Sequence, residues 1–126
     1  MIDIKMTLAQ TMRMYEELST IQDQPLPVRI AFTLGDNLGR LRPAVDNFEE
    51  CKIKITKSLN DFRAKKSSTD AQVEKKLQEA NEELAEEMLK EYDFQLRNVD
   101  LDDFPAHIEL RPSFFKNCGS LVHKLE

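Results

Sequence analysis

The chain has 126 residues, enough for a core of its own without disulfide staples. Apolar residues make up 40%, charged residues 33%, and the net charge is −5, a balance that suits solvent-washed helices rather than disorder. No apolar run approaches the ~20 residues a membrane helix needs.

The opening residues, Met1 to Lys5, lack the layout of a secretion signal. Two cysteines far apart, Cys51 and Cys118, suit reduced thiols and a cytoplasmic setting.

In chain order, Ile2, Ile4 and Met6 alternate with Asp3 and Lys5, which predicts a strand over residues 1–6. Thr7 followed by Gln10 is a capping box, so a helix is expected over 8–21. Its inward face is Leu8, Met12, Tyr15, Leu18 and Ile21. Gln24-Pro25-Leu26-Pro27 is a stiff connector, with Pro27 placed for a first helical turn.

A long helix is predicted over 28–66. Ala31, Leu34, Leu38, Leu41, Val45, Phe48, Ile55, Leu59 and Phe62 are spaced by threes and fours, with Lys52 bridging one gap. A mean period of about 3.5 is the spacing of packed helix pairs. At about 1.5 Å per residue the span is roughly 55–60 Å, too long for one short neighbour to cover. Pro43 removes a helical hydrogen bond, which predicts a kink between Gly39 and Pro43. A second stripe, Val28, Phe32, Gly35 and Gly39, points to close approach by another element.

The first helix folds back on the long one with Leu18 facing Ala31 and Tyr15 facing Leu34. Thr69 and Gln72 form a second capping box, opening a helix over 69–91 with a seam of Val73, Leu77, Ala80, Leu84 and Met88. Antiparallel pairing sets Phe62 against Val73, Leu59 against Leu77 and Ile55 against Ala80. Lys52 then falls near Glu83 and Glu87.

Strands are expected within 94–110, at Phe94–Val99 and His107–Leu110, and a last helix over 113–125. These strands and Ile2–Met6 would form one sheet against Phe32, Gly35 and Gly39. The fold class is α+β, mainly α, in a single domain over 1–126: a long kinked central helix, two antiparallel flanking helices, a small sheet and a short C-terminal helix.

Catalytic chemistry finds little support. His107 and His123 have no partner at metal spacing. Cys118 and His123 sit five apart, on different faces of one predicted helix. Asp100, Asp102 and Asp103 lack the spacing and glycine of a calcium loop. No glycine-rich phosphate loop occurs. A non-enzyme is expected, with no cofactor, no metal and no small-molecule substrate.

Between Lys52 and Lys66 six bases and one acid give +5; between Asp70 and Glu91 eight acids and three bases give −5. Blocks that face each other would cancel, so nucleic acid is not an expected partner. A protein partner or self-association is. The candidate contacts are Leu26, Ile53, Phe104, one of Phe114 and Phe115, and the acidic positions Glu82, Glu83 and Glu86.

Several of these segments resemble a group of small bacteriophage proteins. They are Thr7-Leu8 opening a helix, Leu26-Pro27-Val28-Arg29-Ile30-Ala31-Phe32 leading to Leu34 and Asn37, Leu41-Arg42-Pro43 running to Phe48-Glu49-Glu50, and Arg111-Pro112-Ser113 opening the tail helix. In that group a helical hairpin with a "Leu-Pro-x-basic" start precedes a long helix and a strand-plus-helix tail. The acidic third helix departs from the pattern. The resemblance implies a viral accessory protein acting in the host cytoplasm by binding a host or defence component, or alternatively a virion or assembly component. It implies no catalytic residue.

Overall fold

The computed structural model describes residues 1–65 and 69–122. Strand β1 (Ile2–Thr7) turns Ile2, Ile4 and Met6 inward. Helix α1 (Leu8–Gln22) starts at the Thr7 capping box: the hydroxyl accepts from the Gln10 amide at 3.2 Å, and the Gln10 side chain accepts from the Thr7 amide at 2.9 Å. Helix α2 (Val28–Arg63) begins directly after Pro27, whose preset φ favours a helical start. It runs 36 residues, continuous through Pro43. The exposed position of Pro43 leaves its lost hydrogen bond next to water.

Helix α3 (Asp70–Leu89) starts at the second capping box, Thr69 with Gln72. It returns antiparallel to α2, as shown by Lys76 beside the Phe62 ring at one end and Lys90 beside Cys51 at the other. Strand β2 (Glu91–Leu96) then pairs antiparallel with β1, aligning Ile2 with Leu96, Ile4 with Phe94 and Met6 with Tyr92. The Leu8 amide donates to the Lys90 carbonyl at 2.9 Å and ties the two helix–strand junctions together. A short 3-10 turn (Leu101–Asp103) and helix α4 (Pro112–Cys118) complete the chain, with a parallel bridge between Val99 and Val122.

The core lies at one end of the molecule. Met14, Leu18, Ile30, Leu34, Leu41, Leu96, Val99, Phe114, Cys118 and Leu121 are all buried there. We call this end the head. Past Phe48, α2 and α3 continue as a two-helix arm.

Several expectations change. The strand over 94–110 is displaced: β2 starts at Glu91, because Tyr92 continues the alternation of Phe94 and Leu96. Residues His107–Leu110 form no strand, and among the described residues the sheet has two strands. Gln24 explains this: its amide donates to the Glu109 carbonyl at 3.2 Å and accepts from the Glu109 amide at 3.3 Å, occupying the edge a strand would use. The last helix ends at Cys118, short of the expected 125; residues 123–126, His123 among them, lie outside the described residues.

Two side chains link α1 to α2. Gln22 donates to the Ala31 carbonyl at 3.2 Å. Tyr15 meets Arg42, whose Nε donates to the phenol at 3.3 Å. Wedged between α2 and α4, α1 buries Thr11, Met14 and Glu17 as well as Leu8, Leu18 and Ile21. Of the second stripe, Gly35 lies 3.7 Å (from an ideal Cβ) from the Gln22 amide, whereas nothing approaches Gly39.

Candidate interaction surface

The arm is thinly covered. On α2 the seam residues Cys51, Ile55, Leu59 and Phe62 are half-buried, and on α3 so are Val73, Ala80, Leu84 and Met88. No residue of α3 is fully buried. Two helices shield only the line along which they touch; closing both sides of that seam takes further helices. On one side a groove of about 360 Å³ is lined by Ile55, Leu59, Phe62 and Ala80, with Asp61 on α2 and Lys65 just past its end along one rim and Lys76, Glu79 and Glu83 along the α3 rim. Lys65 and Lys76 lie 6.0 and 5.6 Å from the Phe62 ring centre, in cation–π range.

Among the described residues the ion pairs are Asp36–Arg40, Asp36–Arg97, Glu87–Lys90 and Glu17–Arg111. None joins α2 to α3, so the two charge blocks lie on neighbouring antiparallel helices without a direct ion pair between their described residues. Glu87 holds Lys90 rather than Lys52. Lys52, Lys54 and Lys57, like Glu79, Glu82 and Glu83, are exposed. The arm therefore presents a basic helix and an acidic helix side by side.

Of the expected contact residues, Ile53 stays accessible at 65% exposure, in a shallow cleft with Glu49, Lys52, Thr56 and Lys57. Glu82 and Glu86 are exposed, with Gln78 donating to Glu82 at 3.4 Å. Leu26 and Phe104 are instead taken into the head's packing. Phe104 stands edge-on to Phe114, ring centres 6.2 Å apart. Between the two adjacent phenylalanines, Phe114 is buried and Phe115 is 48% exposed. Leu77, at the edge of the arm seam, is 37% exposed.

The head's polar connections were not foreseen. Asn37 is fully buried; its side chain donates to the Arg97 carbonyl at 3.0 Å and accepts from the Arg97 amide at 2.7 Å, acting as a strand partner where β2 ends. Asp36 accepts from Arg97 Nε at 2.7 Å and Arg40 Nε at 3.0 Å. The Arg97 hydrogen bond, then that of Arg40, lowers its pKa.

Glu17 is 6% exposed and accepts from Arg111 at 3.1 Å and Asn117 at 3.4 Å. Burial pushes its pKa up, but hydrogen bonds from Ser113, Arg111 and Asn117 with the Arg111 charge outweigh that and hold it below the ordinary 4.5. The only sequence signal for these sites was polar residues at apolar positions of a helical repeat.

Cys118, His107 and Asp100 lie within the head's own contacts. Burial pushes the Cys118 thiol up to about 12, far from a nucleophile's range. His107 Nε2 lies 3.4 Å from the Pro25 carbonyl. Asp100 accepts from the Asp102 amide at 2.9 Å, an Asx turn. Among the described residues no group of three or more His, Cys, Asp or Glu is placed to hold a metal ion, and no helix is long and apolar enough to cross a membrane. No protein-family model, curated protein or solved structure matches the chain.

Proposed function

We propose that this chain is a non-enzymatic binding protein whose arm is the working surface. One observation carries the reading: α3 has no fully buried side chain, and the apolar seam it shares with α2 stays partly open to water. A groove of polar rim and apolar floor is what helix-in-groove and helix-on-helix recognition require. The resemblance to phage hairpin proteins supports a setting in an infected bacterial cytoplasm, where the partner would be a host or defence protein.

A photo-reactive residue placed singly at Ile53, Glu82, Glu83 or Glu86 tests this. In cells, these positions should give discrete protein adducts, while Leu26 and Phe104 should give none. Adducts confined to the head positions would overturn the reading.

The paired basic and acidic helices favour a second reading, a repeating component of a virion or its assembly. Mass spectrometry of purified particles decides it: many copies per particle support that role, and absence rejects it.

A further inference from the structure

We infer that the arm pairs with the arm of a second copy of this chain, giving a four-helix bundle in which each α2 lies on the partner copy's α3. The inference rests on the reading of the arm as a binding surface and adds self-association to it. Its first support is the groove itself. Ile55, Leu59 and Ala80 are its apolar lining, set among charged side chains, and no other part of the described chain covers them.

Charge then selects the occupant and its orientation. Over the described residues from Lys52 to just past the end of α2, Lys52, Lys54, Lys57, Arg63 and Lys65 stand against the single acid Asp61, although Lys52 and Lys57 line the Ile53 cleft and not the groove. On α3, Asp70, Glu74, Glu79, Glu82, Glu83, Glu86 and Glu87 stand against Lys75 and Lys76. Among the described residues no ion pair joins the two helices. One chain therefore carries both halves of a complementary surface.

Two arms stacked face to face have two twofold arrangements. An axis perpendicular to the helices sets α2 on α2 and α3 on α3, like charge on like. An axis parallel to the arm sets each α2 on the partner copy's α3, base on acid, with all four neighbours antiparallel. Like charges in register are unfavourable and complementary ones fix register, so the parallel axis is selected. Both heads then sit at the same end of the bundle. Ile53 lines a different cleft and stays outside it.

Sedimentation of the full chain from about 1 to 200 μM tests this, with circular dichroism to check helicity. Wild type should form a reversible dimer. E79K/E83K and K54E/K65E should each weaken it at least tenfold while keeping the helical signal. Mixing the two variants should restore a one-to-one dimer, and I53D should dimerise like wild type. A wild-type chain monomeric throughout, or reversed variants that dimerise unchanged, would overturn the inference. A monomer whose Ile53 or Glu82 still cross-links to another protein would sink the dimer and leave the binding reading standing. Arm positions that give no adduct with any protein, a second copy included, would sink both.

Discussion

The Glu17 carboxylate is buried under Arg111, Asn117 and Ser113, and its pKa lies below the ordinary 4.5. Its contribution to stability is therefore complete above that ordinary value and is lost as pH falls through the folded value. Replacing it with alanine removes hydrogen bonds to a charged group, at a cost of about 1.5–3 kcal/mol near neutral pH. Urea unfolding should show that loss at pH 7 and a smaller one in acid, where the wild-type carboxyl is itself protonated. Asn37 acts on backbone instead. Asn37→Ala strands the Arg97 amide and carbonyl, which costs about 1–3 kcal/mol in the same assay. Neither role was legible beforehand. Glu17 and Asn37 are ordinary surface residues by type, and only the docking of α4 and the end of β2 gives them partners.

At the scale of elements, local chemistry spoke clearly. Both capping boxes, at Thr7 and Thr69, open helices where the sequence placed them, because their bonds span three residues and need no tertiary help. The polar links between α1 and α2, Gln22 to the Ala31 carbonyl and Arg42 to the Tyr15 phenol, were not legible. Apolar residues spaced by threes and fours match nearly as well when slid by four, so the spacing does not single out these contacts. The missing strand at His107–Leu110 has the same origin, since a side-chain amide from Gln24 took the edge.

Pro43 offers a test within α2. It is exposed and interrupts no burial, so Pro43→Ala restores a helical hydrogen bond and should raise stability, by up to about 3 kcal/mol. A higher denaturation midpoint checks this. A lower one would show that the proline is needed at this position of α2.

Taken whole, the molecule is uneven. Its fully buried side chains belong to the head, and the arm beyond Phe48 has none among its described residues. Opening free energies follow local burial. Amide hydrogen exchange of the isolated chain at low concentration should therefore be fastest in the arm helices and slowest around Leu18, Leu34 and Leu96. Equal protection throughout would show a partner already in place. The long helix and its acidic return were readable from periodicity. What periodicity could not show was that the two flanking helices cover it unequally, one inside a layered core and the other leaving its seam partly open to water.

The seven-residue rhythm of that excursion makes its length adjustable. The chain leaves the head after Phe48 and is back by Glu91, where the Leu8–Lys90 bond ties the return to the start of α1. Cutting out one matched heptad from each limb shortens the reach by about 10 Å without altering which residues meet at the base. Such a variant should melt with the head's spectroscopic signature intact. A lineage carrying this architecture can retune how far it extends by inserting or deleting paired heptads, leaving the head sequence untouched.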